Sequence, residues 1–241
     1  MWSFRIQYHM RTVKHAYFVT LTYAHGQASR SENGFLTLNK KHFQNYVKRI
    51  RKSLNQTKET PFNEQIKYIV TGEYGTQRKR PHYHAIIFNV PYDVISAHWE
   101  HGIIDIREIS ASRIAYVFKY CQKARIGRKQ QHSRDDRVPE YVNFSQGLGK
   151  QWLTPKNIQF HVDNIDNPTL IFGKSRIAIP RYYKHRIFTD EQRQQIAENM
   201  ANYTKDSESI ILSHDEAYKL LEYKNEKIRL MHKKAKKEQN E

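Results

Sequence analysis

The chain has 241 residues, a formal net charge of +17 and a pI near 9.8, and its 38% hydrophobic content is enough for one domain or two modest ones. One cysteine excludes an internal disulfide and any cysteine-rich zinc module. No run approaches the ~18 apolar residues of a membrane-spanning helix, and the N-terminus lacks the apolar core of a signal peptide, so a cytoplasmic chain is expected. The charge calls for a polyanionic partner, because lysines and arginines that neutralise phosphates gain affinity through counterion release. Sixteen tyrosines, eleven phenylalanines and three tryptophans accompany the basic residues. That mixture suits single-stranded nucleic acid, where bases stack on aromatic rings, better than a histone-like role. A membrane surface fits less well, since no basic helix carries a continuous apolar face.

Met1–Lys14 is mixed and basic, and reads as an arm. Tyr17–Tyr23 alternates and is rich in β-branched and aromatic residues, which predicts a strand. Ala24–Gly34 reads as a loop. Asn39 is placed to cap a helix to about Leu54, with Phe43, Tyr46, Val47, Ile50 and Leu54 at helical spacing. After a connector at Gln56–Asn63, strands are expected at Ile66–Glu73, Tyr83–Val90 and Gly102–Ile109. Ser110 or Ser112 then caps a helix to about Ala124. This order, with no βαβ ladder, predicts an α+β fold with a largely antiparallel sheet flanked by helices. Arg125–Asp136 reads as a basic loop. Within Tyr141–Ile179 the sequence suggests turns around Gly147–Lys150 and a short strand at Ile158–Val162. Pro180–Arg186 is a basic-aromatic cluster, Thr189 or Asp190 opens a polar helix, and Asp215–Glu241 has helical propensity. These boundaries divide the chain into 1–190, a catalytic domain with a C-terminal elaboration, and 191–241, a helical basic tail.

Two constellations carry chemistry. His82 and His84 sit at i and i+2 in Pro81–Phe88, so on a strand both imidazoles face the same side, and imidazole is the commonest protein metal ligand. Gly75 and the segment Gln77–Arg80 would turn the preceding strand back as a hairpin and bring Glu73 alongside as a third ligand. Alone, His-x-His is as readily an accident in a chain with 13 histidines. In the helix after Ser110, Ile114, Val117, Phe118 and Cys121 form an apolar stripe at about 100° per residue. Tyr116, Lys119, Tyr120 and Lys123 gather on the other face, which is either a solvated face or a reactive one. Together the pieces describe one chemistry: tyrosine as nucleophile, a divalent metal to polarise a phosphodiester, and lysines to hold phosphate or lower a phenol pKa.

At these residues the chain resembles the HUH endonucleases, specifically the rolling-circle replication initiators of Microviridae, and within them the gokushovirus type. Phe18-Val-Thr-Leu-Thr-Tyr23 is similar to the family's first motif and His82-Tyr-His84 to its second. Its third, Tyr-x-x-Lys, occurs twice in overlap, as Tyr116–Lys119 and Tyr120–Lys123. Gly72-Glu73-Tyr74-Gly75 and Ile179-Pro-Arg-Tyr-Tyr183 also look like that branch. The resemblance implies an HUH fold and Mg²⁺ or Mn²⁺ on His82, His84 and Glu73. It further implies nicking and rejoining of single-stranded DNA at a replication origin through a 5′-phosphotyrosine, with Tyr116 and Tyr120 alternating and Lys119 and Lys123 assisting.

A single-tyrosine transposase with the same paired histidines is the nearest rival, and a non-catalytic basic single-strand binder is the alternative from another class. One cysteine rules out a zinc deaminase, whose site needs Pro-Cys-x-x-Cys. Gly147-Leu-Gly-Lys150 lacks the spacing of a phosphate-binding P-loop. No ATPase is therefore expected, so unwinding falls to a host helicase and extension to a host polymerase in the bacterial cell.

Overall fold

The computed structural model describes residues 2–57, 59–62, 64–75, 77–110, 112–118, 134–173 and 175–208. In chain order the elements begin with helix α1 (Trp2–Met10), strand β1 (Ala16–Tyr23), the short strands β2 (Ser29–Arg30) and β3 (Leu36–Thr37), and helix α2 (Lys40–Ser53). Strands β4 (Lys67–Tyr74) and β5 (Pro81–Phe88), helix α3 (Tyr92–Ala97), strand β6 (Gly102–Glu108) and helix α4 (112–118) follow. Then come β7 (Tyr141–Phe144), a 3-10 turn at Lys150–Trp152, α5 (Pro155–Asp163), β8 (Thr169–Phe172), β9 (Ser175–Ala178), α6 (Arg181–Ile187) and α7 (Asp190–Glu208).

The chain divides into two compact units: Met1–Ile158 with Thr169–Pro180, and Gln159–Pro168 with Arg181–Glu241. The first is an α+β unit around a five-stranded sheet in the order β6-β1-β5-β4-β7, every neighbouring pair antiparallel. Strand alternation sorts its core into two layers. Val19, Leu21, Val70, Ala85 and Ile87 face α2, which buries Phe43, Tyr46, Val47 and Ile50 against them. Phe18, Ile69, Ile86 and Phe88 face the other way and pack with Ile6 of α1 and Ile114 and Val117 of α4. Each fully buried aliphatic side chain of this kind contributes about 1.5–3 kcal/mol. Asn39 caps α2 as its sequence position predicts, its side chain accepting from Lys41 N at 3.0 Å. At α4 the capping residue is Ser110, whose Oγ accepts from Arg113 N at 3.3 Å.

Two local expectations fail for identifiable reasons. The N-terminal stretch is a helix and not an arm, because its basic character includes an arginine that serves the interior. Arg5 is buried, donates through Nε and Nη2 to the Leu148 carbonyl at 3.0 and 2.6 Å, and lies over the Trp2 ring. Ile158–Val162 is part of helix α5 and not a strand. Thr154 Oγ1 accepts from Asn157 N at 3.2 Å and Pro155 occupies the first helical position, a start signal that outweighs a brief apolar alternation.

In the second unit, Thr189 Oγ1 accepts from Gln192 N at 3.3 Å to open α7, while Arg193 pairs with Asp190 and donates to the Phe188 carbonyl. Tyr183, Ile187, Phe188 and Ile196 are buried. Asn199 reaches Asp166 at 3.3 Å, joining α7 to the 159–168 segment. The tail expected beyond α7, the loop expected at Arg125–Asp136 up to residue 133, and Cys121 lie outside the described residues. Among the described residues no helix is long and apolar enough to cross a membrane.

Candidate metal centre

The period-two geometry of strands puts His82 and His84 on one face of β5, and the neighbouring strands supply the rest. In the β4–β5 register Glu73 stands opposite His82 and Thr71 opposite His84. In the β1–β5 register Thr20 stands opposite His84 and Thr22 opposite His82. The β4–β5 turn closes with Gly75 N donating to Arg80 O at 2.9 Å, and Lys79 takes a positive φ of 50°. Arg80 fastens this turn to the next strand by donating from Nη2 to the Tyr23 carbonyl at 2.6 Å.

Glu73 Oε1 lies 2.6 Å from His82 Nε2 and 2.8 Å from His84 Nε2. One ligand atom from each of the three residues lies within 4.8 Å of the others. The far side of each ring is also held. His82 Nδ1 faces the Arg80 carbonyl at 3.1 Å, an acceptor only, so this nitrogen carries the proton and donates. His84 Nδ1 lies 3.1 Å from Thr20 Oγ1, which can accept its proton in the same way. Neutral rings held like this aim their Nε2 lone pairs at the carboxylate, an arrangement that repels unless a cation or a proton lies between.

The carboxylate side points to the same conclusion. Glu73 is 3% exposed, and its Oε2 is buried with no hydrogen-bond partner among the described residues. Burial pushes the Glu73 carboxyl up, but the two histidines outweigh it and hold the group at about 2, so the ligand is anionic across the physiological range. A buried anionic oxygen without a partner is costly. Two imidazoles and one carboxylate with an orphaned second oxygen fit a divalent cation, with coordination positions left over for oxygen ligands.

Tyr116 is brought to this face. Its ring stands edge-on to His84 with centroids 5.1 Å apart and edge-on to Phe18 at 6.3 Å, and the residue is 38% exposed. Phe18 in turn stacks on His84 at 5.7 Å. The other residues expected on that helical face, Lys119, Tyr120 and Lys123, lie outside the described residues.

The remaining tyrosines of the sheet do different work. Tyr83, between the two histidines, points to the opposite face, as alternation requires. Its hydroxyl donates to Asn39 O at 2.9 Å and meets Tyr23 Oη at 2.7 Å. Burial pushes both phenols up, which keeps them protonated and structural. Tyr182 and Tyr183 belong to the second unit, where Tyr183 is buried and Tyr182 lies under the Arg186 guanidinium.

Sequence reasoning assigned no role to Thr20 or to the Arg80 carbonyl, the two groups that orient the rings. Thr20 lies inside the quoted Phe18–Tyr23 motif, and a strand pairing drawn through that motif would have exposed it.

Residues 16–125 match the family of the phage replication-associated protein ORF2. Replication-associated protein ORF2 of Spiroplasma virus 4 is 27% identical over 192 residues, covering 72% of this chain and 58% of the relative. Replication-associated protein VP4 of Bdellovibrio phage phiMH2K is 28% identical over 59% of this chain and 50% of its own length. Replication-associated protein ORF4 of Chlamydia phage 1 is 26% identical, over 58% and 40%. The chain thus spans about half the length of the curated relatives it matches. No solved structure gives a significant match.

Proposed function

Because this chain belongs to the family of the replication-associated protein ORF2, we propose that it is a rolling-circle replication initiator of the Microviridae type, with an HUH fold. In this reading it nicks and rejoins single-stranded DNA at an origin. The observation that carries the reading is the convergence of Glu73 Oε1 with Nε2 of His82 and His84, beside the exposed ring of Tyr116.

Glu73, His82 and His84 hold the cation. Bound there, Mg²⁺ or Mn²⁺ would polarise the scissile phosphodiester and offset charge developing on its oxygens. Imidazole nitrogen favours first-row transition ions, which makes Mn²⁺ the better fit of the two. The Tyr116 phenolate oxygen attacks phosphorus, the bond to the 3′-oxygen breaks, and that oxygen leaves with a proton. The products are a 5′-phosphotyrosine and a 3′-hydroxyl that a host polymerase extends after a host helicase has unwound the duplex. Tyr120, one helical turn on, cuts the regenerated origin while Tyr116 still holds the old end, and the new 3′-hydroxyl closes the circle. Lys119 and Lys123 hold phosphate through these exchanges. Residues 1–190 form the catalytic domain and 191–241 a basic helical tail, acting in the bacterial cytoplasm.

The test is incubation of the full chain with random-sequence single-stranded DNA and Mn²⁺, followed by a denaturing gel and mass spectrometry of any adduct. DNA should be found on Tyr116 and on Tyr120, with Tyr116→Phe and Tyr120→Phe each keeping some nicking and the double variant forming no adduct. An adduct on Tyr182 or Tyr183 would overturn the helix assignment. DNA confined to one of the two tyrosines through many rounds would favour the single-tyrosine mechanism, and binding with no covalent capture would leave a non-catalytic single-strand binder.

A further inference from the structure

A cavity of about 680 Å³ opens at the end of β4 away from the metal centre. Arg51, Gln56, Gln65, Lys67, Phe144 and Ser145 line most of it, and none of its lining residues is a carboxylate. Lys67 is the first residue of β4 and shares the face of Ile69, Thr71 and Glu73. It is only 8% exposed. Its Nζ donates to Gln65 Oε1 at 2.9 Å and lies 4.4 Å from the centroid of the Phe62 ring.

Those neutral contacts are modest compensation for a buried ammonium. The charges nearby make matters worse. Lys150 Nζ lies 5.5 Å from the same Phe62 ring, and burial followed by the positive fields of Arg51 and Lys150 pushes the Lys67 ammonium down. Elsewhere in this unit, cations taken out of water meet an oxygen partner directly: Arg5 has the Leu148 carbonyl, and Arg137 has the Asp135 carboxylate at 2.5 Å.

The walls of the cavity are built in advance. Gln56 accepts from Ile66 N and donates to Glu64 O, and Gln65 donates to Thr60 O, which together tie down the loop before β4. Lys150 is delivered by the Gly147 turn, where Lys150 N donates to Gly147 O at 2.8 Å. Gly147 has φ 78°, and a Cβ there would sit 2.7 Å from Phe62 Cζ, so only glycine lets the turn close on that ring.

We propose that this cavity binds the phosphate of a nucleotide, with Arg51, Lys67 and Lys150 around its oxygens. Three cations close enough to act on one another, with no acid lining the space, supply the charge that a phosphate requires. The volume exceeds that of a lone phosphate and leaves room for the attached nucleoside beside Phe144 and Tyr68, rings on which a base can stack. The phosphate has two sources, a free nucleotide or a DNA strand running on from the metal centre. The second rests on the function proposed above. From Lys67 to Glu73 the strand rises about 20 Å at ~3.4 Å per residue, roughly the length of six stacked nucleotides.

The experiment uses the full chain with a chelator present, so that no cleavage is involved. Thymidine 5′-monophosphate should raise Tm in a dose-dependent way, as any ligand of the folded state does, and thymidine should not. Lys67→Met should match or exceed the wild-type Tm without ligand, since it removes a poorly compensated buried charge, yet lose the response. Arg51→Gln with Lys150→Gln, two exposed positions that leave the core intact, should lose the response as well. Fluorescence anisotropy with a dT dodecamer separates the sources. A loss of at least tenfold in both variants identifies the strand; unchanged dodecamer binding with a lost monophosphate response identifies a free nucleotide. If neither monophosphate nor dodecamer binding depends on these three cations, the proposal is overturned. Because His82→Ala should leave these readouts unchanged, failure here and failure of nicking are separate results.

Discussion

At the Glu73 end of β4 a buried carboxylate meets two imidazoles at 2.6 and 2.8 Å, and both rings are held from behind by Arg80 O and Thr20 Oγ1. At the Lys67 end of the same strand face, a buried ammonium meets an amide oxygen and a ring, with two further cations close by. Between them Ile69 is fully buried and Thr71 nearly so. Each end concentrates charge of one sign, and each is short of the opposite one. The acidic end lacks a cation for Glu73 Oε2, and the basic end lacks an anion for Lys67. A fold that carries such charge out of water gains most when a ligand completes it. The two ends thus call for the two ligands that meet in nucleic-acid chemistry, a divalent metal and a phosphate.

The comparison breaks most sharply at the acidic end. His82→Ala with His84→Ala should reduce nicking by about 10³-fold, because Lewis-acid stabilisation contributes several kcal/mol and each ~1.4 kcal/mol is tenfold. The same variant should lose any rise in Tm on adding Mn²⁺ but keep its affinity for single-stranded oligonucleotide. Normal nicking by this variant, or full activity in excess chelator, would remove the metal from the account.

Ile69→Ala acts on the middle of the face and on both ends at once. It should destabilise the first unit by about 2–5 kcal/mol in urea unfolding, the range for emptying a packed aliphatic site. Below its transition the variant should still bind both Mn²⁺ and oligonucleotide. Losing one while keeping the other would show that the ends are not supported by a shared core.

Thr20→Val is subtler, since it touches only the back of the His84 ring. A drop of about 10–100-fold in Mn²⁺ affinity is expected, with the fold unchanged by circular dichroism. An unchanged affinity would mean that Phe18 stacking alone orients His84.

The smallest effect to resolve is the salt dependence. Oligonucleotide affinity should fall linearly in log–log form, by about 0.7 per phosphate neutralised, and the slope should persist in His82→Ala. An affinity indifferent to salt would show that the net charge of +17 is only a solvated coat.

Much of the acidic end could be read without coordinates, because its geometry is local. A period of two puts His82 and His84 on one face, and a short hairpin fixes which residue of the preceding strand arrives opposite them. The Glu73–His82 pairing follows from those two rules and is observed. The cap at Asn39 and the apolar stripe of α2 were legible for the same reason, since i, i+3 and i+4 neighbours meet whatever the rest of the chain does. Helix α1 was not, because its evidence is remote: Arg5 looks like surface charge until the Leu148 carbonyl, 143 residues later, is placed beside it.

By itself, then, the order of residues determined the antiparallel α+β plan of the first unit, the shared face of the two histidines and the arrival of Glu73. Each is set by repeat periods and turns that act over short stretches of chain. Tertiary structure alone decided what lies behind and beyond them. Thr20 reaches His84 through a pairing that spans 64 positions. Tyr116 meets the same ring because α4 packs on the sheet face that also holds Phe18 and Ile86. Arg51, Lys67 and Lys150 come from a helix, a strand and a turn that no local period relates. Lys67 and Lys150 share the Phe62 ring because Gly147 carries no side chain, which lets its turn close against that ring.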